Sequence, residues 1–234
     1  FWIERLAEAD KYYSCYRIDH VLGFFRIWSL SERESTGTLG HFVPDVPVER
    51  KDLEALGFSV ERIWWMSRPH IPTGRLIQAA GESAAKSAAF AALERIGEED
   101  LFLFKNSILG EKDIEALPSI SPAARDYLLA SWRDRALFEY QPGSFYATCN
   151  YRSSTSWQTL SELERGQLEE LFRRNRSSAE KLWAHTGKRL LRVLAHAVPM
   201  LPCAEDLGSV PDCVPRVLEE LGILGLRVFR WARL

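Results

Sequence analysis

Residues 200–231 alternate apolar runs and a helical pattern so tightly that few arrangements other than parallel strands are open to them. The run over 200–205 ends in acid and meets a turn signal, Asp206-Leu207-Gly208. Val214, Val217, Leu218 and Leu221 then recur at helical spacing, which marks one buried face. Asp212 can cap this helix, Pro215 falls in its first turn where a missing N–H costs little, and Gly222 offers a left-handed stop. A second run over 225–231, "GLRVFRW", reads as another strand. Strand, helix and strand joined by short connections imply parallel strands covered by helices, as in a barrel or a doubly wound sheet.

The other end of the chain supplies a matching half-unit. Trp2, Leu6, Ala9 and Tyr13 lie at helical spacing, and the segment runs into a strand over 14–19. A further stripe, Leu182, Thr186, Leu190, Val193 and Ala197, precedes Pro199, with Ser177 and Glu180 spaced as a capping box at its start. Between these pieces, residues 30–75 are rich in Gly, Pro and charge and read as extended loop with short elements. Residues 83–96 favour a helix, 101–105 a strand and 122–139 a helix, and Ser161-x-x-Glu164 opens another. The expected division is therefore α/β segments at 1–29 and 141–234 around an insertion or lid at 30–140, largely helical.

Charge and cysteine usage remove several function classes. The 30 basic and 32 acidic residues nearly cancel, so no overall field favours nucleic acid. The run Arg173-Arg174-Asn175-Arg176 reads as a solvated helix end. No apolar run is long enough for a membrane helix. Cys15, Cys149, Cys203 and Cys213 lie far apart without C-x-x-C spacing, which suits reduced thiols and a cytoplasmic location. The histidines His20, His41, His70, His185 and His196 lack close ligand spacing, so neither a metal nor another cofactor is expected. The start, Phe1-Trp2-Ile3-Glu4-Arg5, is neither a start methionine nor a signal peptide; an internal fragment of a larger catalytic domain is expected.

Chemistry is suggested at two strand ends. In "YRIDHVLGFFRIW" (16–28), Arg17 and Asp19 share one strand face and Ile18 takes the other. An arginine so close should keep Asp19 ionised, as a carboxylate nucleophile requires, with His20 as a further polar group; a structural ion pair is the plainer alternative. In "CAEDLG" (203–208), Glu205 follows an apolar strand into what should be a poorly solvated mouth, which would raise its pKa for proton donation. Asp206 would bind substrate hydroxyls or cap a turn. A simple turn with solvated acids remains open. Phe24, Phe25 and Trp28 could form a stacking surface at this end or belong to the core.

These two stretches, in this order, resemble the 4-α-glucanotransferases, the amylomaltase or disproportionating-enzyme family of the α-amylase-like clan. The middle, with "GHFVPDVPV", "SRPHI" and "SILGEKDIEALPSI", is similar to its long-insertion branch, typified by the cytosolic disproportionating enzyme of plants. The resemblance implies part of a TIM (β/α)8 barrel with a largely helical insertion between barrel strands. It also implies Asp19 as nucleophile, Glu205 as general acid/base, and Arg17, His20 and Asp206 near the substrate. Maltose, maltodextrins and glycogen-like α-1,4-glucans would be the partners, with no nucleic acid, membrane, metal or cofactor. A retaining α-glucan hydrolase and a noncatalytic glucan-binding fragment are the alternatives. The family's third catalytic aspartate would fall beyond Leu234, so these 234 residues alone are expected to be inactive. Leu22 stands where compact bacterial members carry an arginine.

Overall fold

A computed structural model describes residues 1–118 and 120–226. The chain divides into two compact units, one formed by residues 1–28, 42–46 and 173–234, the other by 29–41 and 47–172.

The first unit is α/β. Strand Leu201–Ala204 lies between Cys15–Ile18 and Leu224–Gly225, parallel to both. Helix Cys213–Glu220 joins the central strand to its neighbour at 224–225 and buries Val214, Val217 and Leu218, the apolar face read from the sequence. Gly222 stops the helix at φ 65°, and the Ile223 N–H returns to the Leu218 carbonyl at 2.9 Å. Asp212 holds the N-cap position without a side-chain cap bond, so the expected cap is absent. The strand expected over 225–231 begins earlier, at Leu224, and residues 227–231 lie outside the described residues. Among the described residues the parallel strands form an open set of three.

Helix Trp2–Ala9 forms as expected but buries none of its residues, so its apolar stripe lies on the surface of the unit, and the helix ends before Tyr13. The core gathers Ile18, Val21, Leu22, Phe25, Trp183, Leu191 and Ala204 with the 213–220 helix. Gly187 permits the closest approach there. A Cβ at this position would sit 2.5 Å from the Phe25 ring, so any larger residue would collide with a side chain that is 1% exposed.

The helix spanning 177 is the largest departure from expectation. A 34-residue helix, Glu162–Ala195, runs through Ser177 and Glu180, which therefore do not cap anything. Its start is the Ser161–Glu164 box. Ser161 Oγ accepts the Glu164 N–H at 3.2 Å, and the Glu164 carboxylate accepts the Ser161 N–H at 2.7 Å. No proline interrupts residues 162–195, so the second box has no orphan N–H groups to satisfy. The run 173–176 is accordingly helix interior, largely exposed, rather than a helix end.

The second unit holds two antiparallel sheets of three strands. One orders Val48–Glu49, Ser144–Ala147 and Leu137–Gln141; the other orders Ile71–Pro72, Leu101–Phe104 and Leu93–Arg95. The short elements expected within the 30–75 loop include helices, namely Arg50–Ala55, Val60–Ser67 and the start of Thr73–Ala80. They are too short to show a sustained period; the first buries only Leu53, and the second is fixed by Ser59 Oγ accepting the Arg62 N–H. Helix Pro122–Arg133 ends six residues before the expected 139, because 137–141 is a strand. The unit also extends to Phe172 rather than 140: Phe145 pairs with Val48, and both share a core with Leu53, Met66, Trp157 and Leu168.

Candidate active site

Parallel pairing brings the two suspected strand ends to one edge. Ile18 is in register with Ala204, so Asp19 and Glu205 are the next residues on adjacent strands. Ile18 is buried while Arg17 and Asp19 are exposed, as alternation requires. Arg17 Nη2 donates to Asp19 Oδ1 at 2.9 Å. Glu205 is half-buried.

Main-chain bonds fix these two ends against each other. The Glu205 N–H donates to the Ile18 carbonyl at 2.9 Å, and the Val21 N–H to the Glu205 carbonyl at 3.1 Å. Between them, the His20 N–H donates to Glu205 Oε2 at 2.7 Å. The backbone there is unusual: His20 has φ 46° and ψ 52°, a left-handed conformation costly for most side chains. His20 contributes through its main chain, a role that its side-chain chemistry did not announce.

Asp206 is placed differently from its neighbour. It is buried, at 6% exposure, and its Oδ1 accepts the Leu226 N–H at 2.8 Å. This braces the end of the third strand. The aromatic expectations also divide. Phe25 is core, packed on Gly187, Phe24 is half-buried against the same core, and Trp28 meets Phe42 edge-on at 4.8 Å.

Arg26 was not singled out in the sequence, yet it underpins the loop after Glu205. Only 6% exposed, it donates from Nη2 to the Ser209 carbonyl at 3.0 Å. Its guanidinium lies 3.6 Å from the Phe42 ring centre and 4.5 Å from that of Trp183, cation–π distances. Burial pushes its pKa down, with Arg176 adding to the effect and Asp45 opposing it. Burial likewise pushes the Asp45 carboxyl up, against the pull of Arg176 and Arg26. An arginine in an aromatic run was the available signal.

Among the described residues no group of three or more His, Cys, Asp or Glu could hold a metal ion, and no helix is long and apolar enough to cross a membrane. All four cysteines are free thiols.

Parallel strands carrying Asp19 and Glu205 at adjoining C-terminal ends define the class: an α/β protein with two carboxylates at one sheet edge. The chain belongs to the 4-alpha-glucanotransferase family, whose model matches residues 1–234. It is 32% identical over 246 residues to 4-alpha-glucanotransferase DPE2 of Oryza sativa subsp. japonica, covering 98% of this chain and 25% of that protein. It is also 49% identical over 47 residues to the 4-alpha-glucanotransferase of Chlamydia pneumoniae, covering 20% of this chain and 8% of the relative. A Chlamydia caviae 4-alpha-glucanotransferase is 43% identical over 49 residues, or 21% of this chain and 8% of its own. The chain thus spans a quarter of the length of its rice relative. No solved structure matches.

Proposed function

We propose that the intact protein transfers α-1,4-glucan segments or glucosyl units between maltodextrins, maltose or glycogen-like acceptors by a retaining double displacement. The reading rests above all on the register that sets Asp19 and Glu205 on neighbouring strand ends, tied by the His20 N–H at 2.7 Å from Glu205 Oε2. The first unit is then part of a TIM (β/α)8 barrel, and the second is inserted in the chain between barrel strands. Four free thiols support a reducing, cytoplasmic setting.

Asp19 attacks the anomeric carbon, its carboxylate held by the Arg17 guanidinium at 2.9 Å. Glu205 protonates the departing glycosidic oxygen. Because Oε2 is occupied by the His20 N–H, Oε1 carries the proton. After the first half-reaction Glu205 is a base and removes the proton from an acceptor hydroxyl, which attacks the glycosyl–enzyme. The two carboxyl groups work at a separation of about 5–5.5 Å, since no water must fit between them. Arg17 and the backbone at His20 border the sugar, and Arg26 holds the following loop in place through Ser209.

Maltotriose incubated with the full-length protein tests this. A ladder of longer and shorter oligomers with little gain in reducing ends is expected, whereas steadily rising reducing ends would make it a hydrolase. Glu205→Gln should lower the rate by about 10²–10⁴-fold, and Asp19→Asn by at least roughly 10⁴-fold. Unchanged turnover in Asp19→Asn would overturn the assignment.

A further inference from the structure

The second unit contains a cavity of about 430 Å³ whose wall includes Arg68, Arg95, Lys105 and Arg135, with Glu94 as its one acid. Each cation is held in place by neutral partners. Arg135 Nε donates to the Trp132 carbonyl at 2.9 Å, and its guanidinium lies 4.5 Å from the Trp132 ring centre. Arg95 reaches the carbonyls of Glu99 at 2.9 Å and Glu98 at 3.3 Å. Lys105 donates to the Phe90 carbonyl at 2.5 Å, and Arg68 lies 4.8 Å from the Trp64 ring centre.

Carbonyls and rings orient these groups without cancelling their charge. Elsewhere in this unit the arginines at 33, 62 and 133 pair with Asp113, Glu164 and Glu111. Among the described residues none of the four cavity cations forms an ion pair. Arg135 is only 7% exposed, and the nearby carboxylates Glu34 and Asp134 act on it without forming an ion pair. Burial lowers its pKa to about 10, partly offset by Glu34 and Asp134, so it stays protonated at neutral pH.

We propose that this cavity binds a phosphate group, as inorganic phosphate or as the phosphate ester of a sugar. Four cations against one acid in the cavity wall suit a dianion, and guanidinium forks match the oxygens of a tetrahedral oxyanion. Apolar wall residues such as Phe104 and Ile108 lower the local polarity, which strengthens the attraction. The site stands independently of the glucan-transfer reading.

Calorimetric titration of the full-length protein at fixed ionic strength, with inorganic phosphate and separately with glucose 6-phosphate, tests the proposal. Saturable binding of at least one is expected, weakened about tenfold or more in Arg95→Gln/Lys105→Gln, the loss expected on removing charge-assisted bonds. Tighter binding of the ester assigns the site to a sugar phosphate, and equal or weaker binding assigns it to the free ion. Should the double variant fail to fold by circular dichroism, Arg68→Gln, at an exposed position, must weaken binding by about threefold. No saturable binding by either probe, or affinity unchanged within roughly twofold in the folded variant, would refute the site.

Discussion

Two arginine–carboxylate pairs, one in each unit, use the same groups to opposite ends. In the first unit Arg17 meets Asp19 at 2.9 Å with side chains 62% and 80% exposed. In the second, Arg133 meets Glu111, whose side chain is 0% exposed. Glu111 also accepts N–H bonds from Thr36 at 2.6 Å and Ser35 at 2.8 Å. Burial pushes its carboxyl up, but Arg133, Thr36 and Ser35 together hold it below the ordinary glutamate range. A solvated pair is worth little to the fold, which leaves Asp19 available for chemistry. A buried one is committed to structure, because removing either partner strands the other.

The largest expected effect tests this contrast directly. Glu111→Ala should destabilise the protein by about 3–5 kcal/mol, read from urea denaturation, while Asp19→Asn, which under the proposed mechanism should lower turnover by at least roughly 10⁴-fold, should barely move the midpoint. Equal midpoint shifts would erase the distinction.

Next in size is a packing test within the first unit. Gly187→Ala places a Cβ 2.5 Å from the Phe25 ring, and overpacking of this kind costs about 1–3 kcal/mol. Phe25→Leu in the same background should recover part of that loss. If Gly187→Ala is neutral, the close approach of helix and ring does not exist.

The smallest effect is a pH dependence in the second unit. Hydrogen bonding to Arg62 lowers the Glu164 pKa from 4.5 to about 2, against the opposing effect of burial. A depressed carboxylate stabilises the folded state fully above its unfolded pKa and loses that contribution as pH falls through the folded value. Urea midpoints should therefore drop between pH 4.5 and about 2, and Glu164→Gln should flatten that slope. An identical slope in the variant would show that other carboxylates govern acid unfolding.

The same contrast explains what was legible in the sequence. Arg17 and Asp19 lie two residues apart, so strand alternation alone put them on one face. The 213–220 helix and the Ser161–Glu164 box are equally local. Glu111 with Arg133, or Phe145 with Val48, are meetings of distant segments that no local spacing announces, which is why the second unit extends past 140. The Ser177–Glu180 spacing matched a capping box yet fell inside a longer helix, since a box matters only where a helix begins. Asp19 and Glu205 were each visible alone, but their adjacency depends on the Ile18–Ala204 register, which required the structure. Arg26 escaped notice because an arginine among aromatics reads as snorkelling surface until burial is known.

The contact between His20 and Glu205 belongs to the polypeptide spine, so nearly every substitution at position 20 would carry the same donor. Proline alone lacks it, and proline is also barred from the left-handed φ found there. Substitutions that tolerate the left-handed backbone keep the acid in place, and an alanine scan would pass over the residue's main contribution.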